Sequence, residues 1–597
     1  MTFITVSTAW SPAAEKMASR PAEMTSVASR IPPRPRQRAI VRLNPSINSD
    51  SVSVSVSKTC QVRIPARGGF VSQSLTAVKI RQANRHWRPP EQHCYTGGMT
   101  SESTRTPPLV LPAAGAHDDL SRREFLGHSA KNAAVAGAAA AGVVALAPAR
   151  TAGSPAERIA VGVIGVRRRG LELATLLAQR SDIDVAVICD IDPAVLDSAT
   201  PRLMDAQGFA PEHSADFQRV LDRADLDAVV IATPDHHHAS MTQLACQAGK
   251  DVYVEKPLSH NISEGRKLVE AARKYKRMVQ HGTQERSSSG RASEIAALHS
   301  GKYGKLTVSK GYCCKPRWSI GKKTNEKPPA ELDFNVWLGP APQQPYHGNL
   351  VHYNWHWFWD TGNGDTGNQG VHQMDVARWA IPGATLPKRV LSMGGRFGYD
   401  DQGQTPNTQV TVMEYDEALL LFETRGLVGK HKSMGRMVTN EFYTTEGVMR
   451  SGTFYPKNGG KPEKVQGPRV EVTPGGAFGS FIHAVRSRKI SDLNADVLEG
   501  HYSSALCHLC NISYRLGVSV PFSGRDNLLG DNPQVNASID KVRDNLEVIG
   551  EKLAENTYHL GRPLNMDPKT ERFIDDKAAN AALTRNYRKP FVVPETV

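Results

Sequence analysis

Between Arg158 and Asp190 the chain carries a pattern that few folds satisfy. Arg158–Ile164 reads Arg-Ile-Ala-Val-Gly-Val-Ile, a short apolar run suited to a strand buried on both faces. Gly165-Val166-Arg167-Arg168-Arg169-Gly170 follows, then a helical pattern over Leu171–Arg180. A second apolar strand, Asp184–Cys189, ends in Asp190, 25 residues after Gly165. Strand, glycine turn, helix, strand and terminal acid in that order predict a βαβ unit that binds a dinucleotide. Gly165 permits the tight turn and Gly170 permits close helix–strand packing. The helix N-terminus offers free N–H groups to a pyrophosphate. Asp190 is placed to accept a hydrogen bond from a ribose 2′-hydroxyl, which favours NAD. The middle glycine of the motif is replaced by Arg167, which either supplies charge to the phosphates or weakens binding. Arg167–Arg169 leaves NADP open.

The alternation of strand and helix continues. Leu226–Thr233 reads as a strand with Pro234-Asp235-His236-His237-His238 at its carboxyl end, followed by a helix over Ala239–Ala248. Asp251–Val254 is another strand, ending at Glu255-Lys256-Pro257; a helix over Ser263–Tyr275 leads to Met278–Gly282. Ligands of doubly wound sheets bind at the carboxyl ends of the strands, so these motifs converge on one edge. Three adjacent histidines point in different directions and no Cys/Asp/His set at metal spacing accompanies them, so no metal site is expected. One of the three is expected beside the nicotinamide ribose, the others facing solvent or capping the helix.

A chain of 597 residues exceeds one hydrophobic core, so several domains are expected. The net charge of +14 suggests nucleic acid at first sight. However, residues 1–98 hold 14 basic and 4 acidic residues, and the remainder holds 59 and 55. The basic character belongs to the leader, and no nucleic-acid-binding body is expected. No run of eighteen strongly apolar residues appears, which argues against a polytopic membrane protein. Eight cysteines are too few for a disulfide-stapled scaffold.

Residues 1–98 are rich in Ser, Pro and Arg and are expected to be unstructured. Ser121-Arg122-Arg123-Glu124-Phe125-Leu126, an Ala/Gly-rich run at Ala133–Ala147 and the small residues Ala147-Pro148-Ala149 resemble a twin-arginine signal peptide. Export through the Tat translocase to the periplasm, with synthesis starting at Met99, is therefore expected. The expected organisation is a disordered leader over 1–120 and a signal peptide over 121–155. An NAD(P)-binding Rossmann domain over 156–282, an α/β substrate domain over 283–520 and an extension over 521–597 follow.

Several strings together resemble the Gfo/Idh/MocA family of nicotinamide-dependent sugar and inositol oxidoreductases. They are Val161–Gly165, Cys189-Asp190, Ala232-Thr233-Pro234-Asp235-His236-His237, Glu255-Lys256-Pro257 and Gly282-Thr283-Gln284. Gly370-Val371-His372-Gln373-Met374-Asp375 and Leu493-Asn494-Ala495-Asp496 follow downstream. The resemblance implies an α/β fold: an N-terminal Rossmann doubly wound parallel sheet plus a C-terminal α/β domain with a large open, mostly antiparallel sheet. Leu306–Tyr312, Arg389–Met393, Gln409–Tyr415 and Ala418–Thr424 read as strands of that second sheet, Ala477–Arg488 and Leu498–Leu516 as helices.

The resemblance also assigns roles. Lys256 would bind the reacting hydroxyl and His372 would be the general acid/base. Asp375, on the same helical face, would hold or polarise His372. Many members carry Asp four residues before that histidine; here Asn368 stands there, with Asp365 one turn earlier. Gly165, Arg167, Arg169, Gly170, Asp190, Thr233, Pro234, His237, Glu255, Lys256 and Gln284 would contact NAD or NADP. The expected activity is hydride transfer between NAD(P) and a hydroxyl carbon of a sugar, cyclitol or related polyol. The alternatives are an NAD-dependent glycosidase acting by transient oxidation and elimination, or a cofactor-locked carbohydrate-binding protein. No membrane partner is expected after export, and a homo-oligomer is expected.

Trp355, Trp357 and Trp359 alternate, which in an extended segment puts three indoles on one side, suited to a sugar face or to packing. Lys315 and Arg317 follow a strand and read as partners for a carboxylate or hydroxyls, or as solvated charges. Cys507 and Cys510 fall mid-helix and, like Cys313 and Cys314, are expected to be unbridged thiols. The last segment is expected to wrap the body, with a helix over Val535–Ala554.

Overall fold

The computed structural model describes residues 54–66, 69–80, 158–429, 434–522, 529–593 and 597. The signal segment 121–155 and Met99 lie outside these. Within the leader, Val54–Ala66 and Gly69–Ile80 form an antiparallel hairpin, with Val54 opposite Ile80 and Ala66 opposite Gly69. This departs from the unstructured leader expected. The Ser-Val alternation at Ser51–Ser57 has the two-residue period of a strand, and β-branched residues continue it through Ile64.

The main body is built on two sheets. The first comprises β1 (Ile159–Ile164), β2 (Ile183–Cys189), β3 (Glu212–Ser214), β4 (Ala228–Ile231), β5 (Asp251–Val254) and β6 (Val279–His281). All pairs are parallel and the order is β3-β2-β1-β4-β5-β6. The crossover helices are α1 (Arg169–Ala178), α2 (Pro193–Gln207), α3 (Phe217–Leu221), α4 (Asp235–Gln247) and α5 (Ile262–Lys274). Every residue of β1, β4 and β5 is buried, which is why these strands read as continuous apolar runs. The strand order reverses between β1 and β4, the point at which such sheets open a ligand crevice.

After α6 (Ser289–His299) the chain enters a twelve-stranded mixed sheet. Its centre is β7 (Leu306–Cys314), β8 (Arg389–Gly395), β9 (Thr408–Glu414), β10 (Leu419–Arg425) and β11 (Met437–Thr444). Only β7 and β10 run parallel; the other neighbours are antiparallel. α7 (Phe334–Leu338) lies in the loops between β7 and β8, and α8 (Val371–Trp379) and α10 (Val497–Arg515) bury one sheet face with Met374, Leu420, Phe422 and Leu509. The opposite face is covered by α11 (Pro533–Val548) through Val535, Ile539, Val542 and Leu546. This helix stops before the expected Ala554, where Gly550 takes φ 92°.

The two sheets share packing. α9 (Gly476–Ser487) places Phe481 and Ile482 in the core beneath β1, and Asp496 bridges Gln280 of β6. The C-terminal strands β16 (Thr557–Leu560) and β17 (Leu564–Asp567) pair with β8, following β12 (Gly447–Arg450), β13 (Thr453–Pro456), β14 (Glu463–Lys464) and β15 (Val518–Pro521) in the sheet. The tail then crosses both halves. Arg585 donates to His260 Nδ1 at 2.8 Å, Asp360 O at 3.0 Å and Pro340 O at 3.2 Å. Tyr587 donates to Glu264 Oε1 of α5 at 3.0 Å, and Arg588 donates to Gly339 O at 3.1 Å.

Candidate functional site

The turn after β1 is set by contacts that only glycine allows. Gly165 takes φ 81°, and a Cβ there would lie 2.8 Å from Ala232 O at the end of β4. A Cβ on Gly170 would stand 1.7 Å from Gly165 O. Between them Arg168 adopts φ 38°, and α1 begins without a side-chain cap. The first turn of α1 therefore has no side-chain cap bond on its N–H groups, as a phosphate site requires. Arg167 is exposed at the cavity rim.

Asp190 closes this loop. Its carboxylate accepts from Val166 N–H at 3.0 Å and from Asp192 N–H at 3.1 Å. Burial raises its pKa despite these bonds. Each oxygen keeps lone pairs for a further donor. A loop of the second half reaches over from the other side: His352 Nε2 lies 3.0 Å from Asp192 Oδ2, and the Arg168 guanidinium stands 5.7 Å from the Tyr353 ring.

These residues line a cavity of about 480 Å³ that continues to Thr233, Glu255, Lys256, Asn368 and Trp355. Glu255 is buried, and Arg169 donates to it from Nε at 2.9 Å. Despite burial, the charges of Arg169 and Lys256 hold Glu255 below the usual carboxylate range. Arg169 lines the cavity while pairing with Glu255 and Glu172. Lys256 Nζ donates to Asn368 O at 2.9 Å, with Asn368 Oδ1 at 3.5 Å. Asn368 lies in a π-helical turn, Thr366–Gly370, that runs directly into α8 and His372. His372 is close enough to Lys256, Glu255 and Arg169 for their charges to act on it. Burial first, then the Lys256 ammonium, push its imidazole down to about 4. No described residue hydrogen-bonds either ring nitrogen.

Four expectations are corrected. Asp375 does not hold His372: it is fully buried, accepts from Arg286 Nε at 2.8 Å and from Ser503 Oγ at 2.5 Å. One helical face admits both side chains, but an arginine from another element takes the carboxylate. Gln284 donates to Tyr253 OH at 3.3 Å and does not line the cavity. The three adjacent histidines are all buried, with none facing solvent. His236 places Nε2 2.9 Å from Trp337 O and Nδ1 3.2 Å from Thr361 O; His237 donates to Trp337 O at 2.7 Å. His238 sits between Thr233 O at 2.9 Å and Pro257 O at 2.6 Å. They tie the end of β4 to loops of the second half, and His237 and His238 also line the cavity. The tryptophans diverge, because Asn354–Trp357 is a 3₁₀ turn and not an extended segment. Trp355 lines the cavity stacked on His356, Trp357 lies under Arg317, and Trp359 lies under Arg515.

Cys189, Cys246, Cys313, Cys314, Cys507 and Cys510 are buried thiols. Sequence reasoning gave Asp235 no role, yet it is buried at the start of α4, lines the cavity and accepts from Asn363 Nδ2 at 3.3 Å. Burial pushes it up to about 7 against the pull of Lys256. Its place after a strand end, at the first turn of a helix, was the available signal.

Residues 159–283 match the family described as "Oxidoreductase family, NAD-binding Rossmann fold", and residues 299–391 match its C-terminal α/β domain. Over these two segments the chain matches the Gfo/Idh/MocA oxidoreductase family. A protein of Stenotrophomonas maltophilia named a glycosyl hydrolase family 109 protein is 33% identical over 142 residues, 23% of this chain and 29% of that one. The α-N-acetylgalactosaminidase of Shewanella oneidensis is 27% identical over 179 residues, 29% of this chain and 38% of that one. The chain thus matches well under half the length of these curated relatives. Among solved structures, the WlbA dehydrogenase of Bordetella pertussis in complex with NADH and UDP-GlcNAcA aligns with TM-score 0.46 and 18% identity, over 60% of this chain and 97% of that one.

Proposed function

We propose that this chain is a nicotinamide-dependent oxidoreductase that moves hydride between NAD(P) and a hydroxyl carbon of a sugar, cyclitol or related polyol. The observation that carries the reading is the continuity of one cavity from the glycine loop and Asp190 to the Lys256 ammonium. The residues present fit the dinucleotide: an uncapped helix start, a loop that excludes a Cβ at Gly165 and Gly170, and a carboxylate with lone pairs to spare. NAD(P), when bound, supplies the hydride acceptor or donor.

The chain's own groups do the rest. Lys256 presents an ammonium to the oxygen on which negative charge develops. Its bond to Asn368 O fixes the direction of the side chain. His372, neutral at physiological pH because burial and Lys256 oppose its charged form, accepts the hydroxyl proton at a free ring nitrogen. The same environment makes the protonated ring a ready donor for the reverse direction. His352, Tyr353 and Trp355 cover the crevice from the second half and exclude water.

The names of the curated relatives favour a second reading, NAD-dependent glycoside cleavage through transient oxidation and elimination. Incubation with NAD⁺ and a sugar panel, followed at the NADH absorbance, tests the first reading. Cleavage of aryl glycosides without net NADH formation supports the second. A purified protein that neither retains nor binds a nicotinamide dinucleotide overturns both. Export by the twin-arginine route, periplasmic location and self-association remain part of this proposal. N-terminal peptide analysis of the natural protein tests export: a mature start near residue 155 supports it, and intact residues 121–155 refute it; the mass of the purified protein in solution tests self-association.

A further inference from the structure

Two ammonium groups enter the cavity, and both are bound only by neutral oxygens of one turn. Lys256 Nζ donates to Asn368 O, and Lys315 Nζ, just beyond β7, donates to Gln369 Oε1 at 3.2 Å. Both lysines line the cavity. Among the described residues neither forms an ion pair, whereas the acids around them are already engaged. Asp365 accepts from Arg317 Nε at 2.7 Å and from its NH2, and Glu255 accepts from Arg169. Asp235, the remaining buried acid of the cavity, is close to half-ionised at neutral pH and balances part of one charge. An ammonium has three donors, and a single neutral acceptor leaves two unused on Lys315. Burial and then the neighbouring Arg317 push Lys315 below the ordinary lysine range against the pull of Asp365.

We propose that the substrate is an acidic sugar or polyol whose carboxylate is received by Lys315 while Lys256 holds its reacting hydroxyl. A carboxylate is assigned because Lys315 is one ammonium that balances one charge, while the adjacent Arg317 fork is taken by Asp365. The two lysines bond to adjacent residues of the Thr366–Gly370 turn, Asn368 and Gln369, and line one cavity. The inference rests on the reading of Lys256 as the contact to the reacting hydroxyl, and deepens it.

The test is calorimetric titration of the full chain, with NAD⁺ present, by D-glucuronate and D-galacturonate against D-glucose and D-galactose. At least one uronate is expected to bind about tenfold or more tightly than its neutral counterpart, with a preference that shrinks as salt rises. In Lys315→Met this ratio should fall to near one, and Lys315→Arg should recover most of it. Equal or tighter binding of both neutral sugars, or no binding of either uronate, overturns the proposal. So does a Lys315→Met protein of unchanged melting temperature that keeps the ratio. If Lys315→Met fails to fold, the wild-type ratio and its salt dependence decide. Tight uronate binding without NADH formation refutes the oxidoreductase reading and leaves the acidic-substrate assignment standing.

Discussion

Lys256, on the loop leaving the parallel sheet, donates from Nζ to the main-chain carbonyl of Asn368 on the turn that leads to His372. A side chain that is to meet the substrate is thus aimed by the backbone of the other half of the body. Replacing Lys256 with Met removes the only ammonium aimed by that carbonyl. The expected loss in kcat/KM is roughly 10²–10³-fold, the cost of one preorganised donor to a developing oxyanion. Steady-state kinetics on any substrate found in the sugar panel, beside an unchanged melting temperature, checks it.

His372 is held neutral by its surroundings, with a pKa pushed down to about 4. The acid limb of kcat/KM should therefore lie near pH 4, well below the limb of an ordinary histidine near 6.5. The folded state disfavours the proton that the unfolded chain accepts. Stability contributed by this group is thus complete above pH 6.5 and falls by about 1.4 kcal/mol per pH unit as pH drops toward 4. His372→Asn should remove that slope and lower kcat by roughly 10²-fold or more, as read from pH–rate and pH–melting profiles.

Asp235 shows the opposite sign. Burial pushes its carboxyl up to about 7, so the folded protein holds a proton that the unfolded chain has released. Stability should decline as pH rises from 3.8 through 7. Asp235→Asn keeps an acceptor for Asn363 and removes the charge. The stability advantage of the variant over the wild type should grow by about 1.4 kcal/mol per pH unit from pH 4 to pH 7 and level off above, as read from melting profiles.

Asp375 belongs to the scaffold. Asp375→Ala leaves Arg286 and Ser503 facing a buried gap, and should cost on the order of 3–5 kcal/mol. Thermal melts should show that loss. At a temperature where the variant stays folded, kcat should remain within a few-fold of wild type, an outcome that an Asp375–His372 relay would not permit.

Gly170→Ala places a methyl where the Gly165 carbonyl stands, 1.7 Å away. The loop must move off the phosphate position. Nicotinamide dinucleotide affinity, followed by tryptophan quenching, should fall at least about tenfold while the parallel sheet persists by circular dichroism.

What could be read from the chain was what neighbouring residues decide. Gly165 and Gly170 act through backbone clashes inside one turn, and the buried strands announce themselves as apolar runs. Lys256 follows a strand end, so its edge of the sheet was also legible. Contacts between distant segments were not. Asp375 shares a helix with His372, but Arg286, 89 residues earlier, takes its carboxylate. The alternation at 355–359 suits a strand, yet Asn354–Trp357 curls into a 3₁₀ turn and sends each indole to a different arginine or histidine partner. Asp235 carries no local mark of its burial; Asn363 and the cavity come from the second half.

The seam between the halves is fastened by Arg585, Tyr587 and Arg588, which follow every strand of both sheets along the chain. A nascent chain that has already emitted every strand of both sheets therefore still lacks its clasp. Fastening of the seam waits on the segment 585–588, and a protease that cuts just ahead of it would undo the clasp without touching a single group of the site.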